Sequence, residues 1–347
     1  MPYQLPTDPQ TERRNRIGRW VTVALAALLV ALVAYFAYIG YEGSRQLTDA
    51  PNDTADCRTP RPLGWEYEAI NYPIVTDATL EAEANPEDCA AQGERAGDQL
   101  AGPGGVGLAG WYIPSSAGSG PTGATVVLAH GWSSNKSNML DRAAILHDRY
   151  NLVLFDFRNH GQSQPAPTTQ GVLEAGDVRA VIDWLEANKG PDQIALLGVS
   201  MGGASVLAEA GRDERIDALV VESTHAALAN AVQARLERGG YPLSIPGSWA
   251  TLLGTLIRTG QDVTSVDPAQ TIGRLDERPV LIISGGRDGS IGPNDAEELL
   301  AAAEEGGSPA ELHICADAVH AESNETCAEE YPGWVLGFLE RVLAPSG

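Results

Sequence analysis

The chain has 347 residues, with 46 Asp and Glu against 23 Lys and Arg, a net charge of −23 at pH 7, and four cysteines. At roughly 100 to 200 residues per domain, this is room for one large or two ordinary domains. A charge of this sign and size repels a polyphosphate, and the only basic cluster lies in the first nineteen residues, so nucleic acid is excluded as a partner.

In that cluster Arg13, Arg14, Arg16 and Arg19 outnumber Asp8 and Glu12, giving residues 1–19 a net charge of +2 and residues 20–347 a charge of −25. Residues 20–41 then run for 22 positions without a charged side chain. As a helix rising about 1.5 Å per residue they span roughly 33 Å, enough for the hydrocarbon core of a bilayer. A core helix of that length carries a polar stripe; here, tyrosines aside, only Thr22 is polar.

Trp20 at one end and Tyr35, Tyr38 and Tyr41 toward the other suit the two membrane interfaces. The arginines on the N-terminal side put residues 1–19 in the cytoplasm, residues 20–41 across the cell membrane as a single pass, and everything after Tyr41 outside. A cleavable signal peptide is the competing reading, against which the apolar run exceeds the usual span of about 7 to 15 residues. All four cysteines, Cys57, Cys89, Cys315 and Cys327, follow the apolar segment. An even number in an oxidising compartment points to disulfides, and proximity in sequence favours Cys57 with Cys89 and Cys315 with Cys327. Four buried thiols are the alternative.

Residues 42–62 are polar with scattered Pro and Asp, and read as a tether between membrane and domain. From residue 63 to 347 a single large domain is expected. Residues 85–107, rich in Gly, Ala and acids, read as an irregular insertion near its start, and residues 114–123 as a surface loop. Short β-branched runs then alternate with helical stretches: 125–129 (TVVLA), 152–157 (LVLFDF), 194–199 (IALLGV), 218–222 (ALVVE), 280–284 (VLIIS) and 311–315 (ELHIC). Their near-continuous apolarity marks strands buried on both faces, so the fold class is α/β with a mostly parallel central sheet and helices on both faces. Residues 65–70 and 108–113 alternate more and suit an edge hairpin.

The strand rhythm breaks over about 224–274, where amphipathic stretches at 226–238 and 248–258 are joined by Gly239, Gly240, Pro242 and Pro246. Such an excursion sits at the C-terminal edge of a parallel sheet, where ligands bind, and reads as a small helical cap; an ordinary surface helix pair is the alternative.

Gly198, Ser200 and Gly202 (GVSMG) match the pattern of a nucleophilic serine on a strained turn, with an apolar strand before it and a helix-compatible stretch after it. The glycines are needed because strand and helix approach closely there. The following helix N-terminus offers the Met201 N–H as one oxyanion donor. A second comes from the loop after an earlier strand, where His130-Gly131-Trp132 follows TVVLA and Trp132 N–H is the candidate. His130 itself reads as structural.

Such a serine is followed in the chain by its acid and then its histidine, leaving His225, His313 and His320 among six histidines. His313 lies inside a strand and His225 precedes the acid, so His320, in a loop after the last strand, is the base. Asp288, just after VLIISGGR, is the acid that holds the imidazole in one tautomer; Glu222, ending ALVVE, is its rival.

These motifs together give a resemblance. Residues 64–347 resemble the alpha/beta-hydrolase superfamily, in particular its esterase and serine-aminopeptidase-like branch. His130-Gly131 is similar to the family's oxyanion loop; residues 156–163 (DFRNHGQS) to its D-x-R-G-H-G-x-S turn, with Asn159 for the usual Gly; GVSMG to its elbow; Gly285, Gly286, Arg287 and Asp288 to its acid turn; and Val319-His320 to its histidine loop. The resemblance implies a mainly parallel sheet of about eight strands and a Ser200, Asp288, His320 triad.

The first expectation for function is a serine hydrolase acting outside the membrane on small carboxylic esters through an acyl-enzyme on Ser200, with no metal or organic cofactor required. An aminopeptidase, acyltransferase or thioesterase using the same triad is the alternative, the peptidase needing a carboxylate such as Glu237 or Asp262 for the substrate's ammonium group. A binding module on an inactive hydrolase fold is a third reading, opposed by the complete triad.

Overall fold

The computed structural model describes residues 9–51, 58–70, 100–116 and 123–343. The expected Cys57–Cys89 pair, and part of the 85–107 insertion and the 114–123 loop, lie outside them.

In chain order the strands are β1 (Glu68–Ile70), β2 (Ala101–Gly102), β3 (Val106–Gly107), β4 (Ala109–Ile113), β5 (Thr125–Ala129), β6 (Asn151–Asp156), β7 (Ile194–Val199), β8 (Ile216–Glu222), β9 (Val280–Gly285) and β10 (Ala310–Cys315). β2 and β3 form a two-stranded ribbon; the other eight form one sheet ordered β1-β4-β6-β5-β7-β8-β9-β10. β4 is antiparallel to both its neighbours, as an edge hairpin requires, and every pairing from β6 to β10 is parallel.

The helices are α1 (Pro9–Thr48), α2 (Leu140–Leu146), α3 (Val172–Asn188), α4 (Met201–Ala210), α5 (Leu228–Arg238), α6 (Ser244–Thr259), α7 (Pro268–Ile272), α8 (Asp295–Gly306), α9 (Ser323–Thr326) and α10 (Tyr331–Val342). Alternate residues of each central strand feed two cores. Val127, Phe155, Leu196 and Val221 pack with α3, α4 and α8 on one face. Leu128, Leu154, Leu197 and Val220 pack with α2 and α10 on the other. Burial on both faces is what made these strands read as unbroken apolar runs.

α1 is long and apolar enough to cross a bilayer, as an anchor or a signal sequence does, and little of its most apolar stretch is buried. It does not end at Tyr41. The tether expected over 42–62 is helical as far as Thr48, and Leu47 and Ala50 are buried against the domain. Thr168 N–H donates to the Thr48 carbonyl (3.0 Å), Gln170 Nε2 to that of Leu47 (3.3 Å) and Asn159 Nδ2 to that of Ala50 (3.3 Å). Polarity in this segment reflects hydrogen bonding to the domain surface, which composition alone reads as solvation.

α5 and α6 fall within the span 224–274 expected to form a cap. α6 lies along the last turns of α1, running in the same direction: Gly247 meets Ile39, Gly254 meets Gly40, and Arg258 reaches the Tyr41 carbonyl. A Cβ on Gly43 would lie 2.4 Å from Thr251 Oγ1, and one on Gly254 2.2 Å from the Gly40 carbonyl oxygen, so small residues set the approach of the two helices.

Candidate active site

Parallel strands bring their C-terminal ends to one edge. Ala129 pairs with Gly198, Val199 with Glu222, and Cys315 with Gly285, so the loops after β5, β7, β8, β9 and β10 emerge side by side. The predicted triad and both oxyanion candidates lie at this edge.

Ser200 occupies the turn from β7 to α4 at φ 55°, ψ −117°, a conformation rarely tolerated by a residue with a side chain. The turn is tight: a Cβ on Gly198 would sit 2.5 Å from the Gly202 carbonyl oxygen, and one on Gly202 2.2 Å from that of Ala129. Ser200 N–H donates to the Glu222 carbonyl (2.8 Å), which fixes the elbow to β8.

His320 Nε2 lies 2.8 Å from Ser200 Oγ, and His320 Nδ1 lies 2.7 Å from Asp288 Oδ2. With the carboxylate on Nδ1, that nitrogen carries the proton and Nε2 faces the serine as acceptor. Asp288 also accepts from Ser290 N–H (2.8 Å). Burial alone would raise its pKa, but hydrogen bonds from His320, Ser290 and Ser223 outweigh it and hold the carboxyl below its ordinary range.

The rival acid is otherwise engaged. Glu222 is fully buried and takes two hydrogen bonds from Arg142 (2.8 Å each) and one from the Tyr331 hydroxyl (2.8 Å). Arg142 in turn donates to the Ala321 carbonyl (2.8 Å), and Ala321 N–H donates to Ser223 Oγ (3.0 Å). Both backbone groups of the residue after His320 are thereby tied down. Cys315 and Cys327 are disulfide-bonded across the same loop.

Met201 begins α4, where helix N–H groups have no intrahelical acceptor. The Gly131–Trp132 turn crosses above the serine: a Cβ on Gly131 would lie 3.4 Å from Ser200 Cβ. His130 and His160 hold this turn from beneath. His130 Nδ1 pairs with the Gly131 carbonyl (2.7 Å) while its Nε2 accepts from Phe157 N–H (3.1 Å), and His160 Nε2 accepts from Ser133 N–H (3.1 Å). Burial lowers the His130 pKa to about 3, so it stays neutral, as a structural residue must.

The D-x-R-x-H-G-x-S turn is likewise architectural. Asp156 accepts from Lys136 Nζ (2.5 Å), Lys136 N–H (2.7 Å) and Gln162 N–H (2.9 Å), and Arg158 pairs with Asp177 through two hydrogen bonds (2.9 and 2.6 Å). Asn159 has φ 61°, which explains the family's glycine; Asn is one of the few other residues that tolerate the left-handed region.

A cavity of about 210 Å³ lies over Ser200, lined by Trp132, Met201, His225 and His320 below and by Leu228, Val232, Arg235 and Arg238 of α5 above. Leu47 of α1 closes one side. Sequence reading missed the roles of Leu47, His225, Arg235 and Arg238. Arg235 sits over the Trp132 ring (5.0 Å), Arg238 Nη1 donates to Ser290 Oγ (3.1 Å), and neither is paired with a carboxylate among the described residues. Their spacing on an amphipathic helix was visible, but not which face looked at the site. His225 is buried, with Nε2 unpartnered, and burial together with nearby His320 lowers its pKa to about 4. Glu237, by contrast, faces Gln233 and Ser244, and Asp262 caps its own turn at Thr264; neither lines the cavity.

The alpha/beta hydrolase fold family model matches residues 124–261. Uncharacterized protein YfhR of Escherichia coli K12 is 29% identical over 248 residues, covering 70% of this chain and 79% of its own. Uncharacterized protein Rv2307c of Mycobacterium tuberculosis is 31% identical over 205 residues, 58% of this chain and 64% of its own. Among solved structures, the Pyrococcus furiosus esterase Pf2001 superposes with a TM-score of 0.63 at 22% identity, over 85% of this chain and 100% of that one. Sheet order and these likenesses agree: the chain has the alpha/beta hydrolase fold, and residues 124–261 match the family model that bears that description.

Proposed function

We propose that this chain is a membrane-anchored, extracytoplasmic serine esterase with Ser200, Asp288 and His320 as its triad. The observation that carries the reading is the pair of hydrogen bonds of His320, 2.8 Å to Ser200 Oγ and 2.7 Å to Asp288.

Ser200 Oγ attacks the acyl carbonyl as His320 Nε2 takes its proton, and the Met201 and Trp132 N–H groups receive the oxyanion. Collapse of the tetrahedral intermediate expels the alcohol, protonated by His320. Water enters, loses a proton to the same nitrogen and releases the acid. Asp288 keeps the imidazole oriented and stabilises its cationic form. Arg235 and Arg238, which meet no carboxylate among the described residues, oppose an α-ammonium substrate and set the aminopeptidase reading second.

Retention of α1 as an anchor is supported by its last turns, where Ile39 and Leu47 are buried against the cap and domain; cleavage after residue 41 would strip Ile39, Gly40 and Tyr41 from α6. The arginines before Trp20 favour an outward-facing domain. The test is labelling of the full chain by a fluorophosphonate, beside hydrolysis of a p-nitrophenyl ester series and of aminoacyl amides. Labelling and ester turnover that both vanish in Ser200→Ala are expected. A folded wild-type protein that neither labels nor turns over would end the esterase reading.

A further inference from the structure

The cap contains a second stretch with the character of a membrane segment. Between Arg238 and Arg258, residues 239–257 carry no charged side chain. Ile245, Trp249, Leu253 and Ile257 recur every four residues along α6 and stand 57 to 77% exposed. They form one stripe, with Leu256 beside it, while Gly247, Ala250, Thr251 and Gly254 on the opposite side pack against α1. An apolar stripe of this length directed away from the domain has nothing to cover it among the described residues.

The neighbouring helix says what covers it. α6 lies level with Tyr35 to Tyr41, the outer end of α1's apolar run, and the Tyr35 hydroxyl bonds the Pro242 carbonyl. A bilayer that holds α1 therefore reaches α6. The hydroxyls of this helix are internally used: Ser248 Oγ bonds Ile245 O (2.8 Å) and Thr255 Oγ1 bonds Thr251 O (3.0 Å), as an apolar surrounding demands. Charge is held to the ends, at Glu237, Arg238 and Arg258, and Tyr241 and Trp249 are exposed aromatics of the kind that settle at interfaces.

The site lies close by. A cavity of about 350 Å³ among α1, α5 and α6, lined by Gly43, Tyr241 and Thr251, shares Leu47, Val232, Arg235 and Arg238 with the cavity over Ser200. Leu47 is six residues beyond Tyr41, about 9 Å at the helical rise.

We infer that α6 lies in the interfacial zone of the outer leaflet with its Ile245, Trp249, Leu253 and Ile257 stripe toward lipid, and that the site takes acyl esters resident in that leaflet. This rests on the anchored-esterase reading above for its substrate and on α1 for its membrane. The probe is the full chain reconstituted in phosphatidylcholine vesicles containing a phosphatidylcholine with a diazirine in its acyl chain. After irradiation, trypsin releases residues 20–45 and 239–258 as separate peptides.

Label in both is expected. Label in 20–45 alone overturns the inference and leaves the anchor intact, whereas label in neither removes both. A second arm uses Leu253→Glu with Ile257→Glu, exposed positions away from the site. Activity on a long-chain ester in vesicles should fall at least tenfold, with hydrolysis of a short soluble p-nitrophenyl ester unchanged. Equal activity of the variant on both substrates would refute leaflet feeding. Absence of any hydrolysis in the wild type refutes the esterase reading and leaves the labelling result standing.

Discussion

Replacing Cys315 and Cys327 by serine separates two roles that one bridge could serve. The disulfide spans 12 positions around His320. Releasing a closed loop of about this length restores unfolded-state entropy equivalent to about 3 kcal/mol at 25 °C. The loop is held independently, however, by Arg287 N–H to Ala318 O (2.9 Å), Arg142 to Ala321 O (2.8 Å), Ala321 N–H to Ser223 Oγ (3.0 Å) and His320 to Asp288 (2.7 Å). These bonds reach Ala318, Ala321 and His320 itself, whereas the bridge closes the loop several residues away. The double Cys→Ser variant should therefore lose about 3 kcal/mol in chemical denaturation yet keep kcat/KM within about threefold well below its unfolding transition. A stability loss under about 1 kcal/mol would refute the loop-entropy reasoning. A tenfold fall in kcat/KM in the folded range would show that the bridge itself positions the histidine.

Asp288→Asn should lower kcat by about 10³ to 10⁴ with stability little changed, because the amide no longer fixes the His320 tautomer. Glu222→Gln should do the reverse, destabilising by about 3 to 5 kcal/mol through an uncompensated Arg142 while the folded fraction stays active; steady-state kinetics beside denaturation distinguish the two, and the opposite pattern would make Glu222 the acid. For pH, His130 and His225 have folded pKa values of about 3 and 4, below the ordinary 6.5. The unfolded chain thus takes up protons that the folded chain refuses. The contribution of these two histidines is complete above about pH 6.5 and falls as pH drops toward 4, by up to about 1.4 kcal/mol per pH unit for each. Asp288, held low, adds to the loss only at more acid pH. His225→Gln should flatten the slope of urea stability between pH 4 and 6.5, and an unchanged slope would show His225 to be charged or exposed. Arg238→Gln should cut kcat/KM about tenfold for an ester bearing a carboxylate and little for its neutral analogue, measured as a ratio in one assay; an equal fall on both would assign Arg238 to cap structure.

The parts legible in the sequence are those that local chemistry dictates. IALLGV is β7 to the residue because both of its faces are buried, and GVSMG had to turn there because no Cβ fits at Gly198 or Gly202. Ser200, Asp288 and His320 could be singled out because each comes just after a strand, and parallel strands deliver their C-terminal loops to one edge. The features that stayed hidden depend on partners remote in sequence. Arg142 gives no sign, at its own position, of meeting Glu222 and the backbone of Ala321, nor Ser223 of tying Ala321. Residues 42–48 carry Gly, Ser, Gln and Thr, which composition assigns to a tether, yet those small residues are what admit α6.

That last difference changes what α1 is for. An anchor joined to its domain by a flexible tether could be exchanged for any other apolar span, since nothing downstream would sense its sequence. Here the final turns of α1 pack as part of the folded domain: Gly40 and Gly43 fix the distance to α6, the carbonyls of Leu47 and Thr48 bind the domain, and Leu47 forms a wall of the cavity over Ser200. A rotation of α1 about its axis would move Leu47 and the Gly40–Gly254 contact together, and with them α5, which carries Arg235 and Arg238. The apolar residues before Tyr35 answer only to composition, whereas those from Tyr35 to Thr48 answer to shape. The boundary between apolar span and folded domain therefore lies inside the helix.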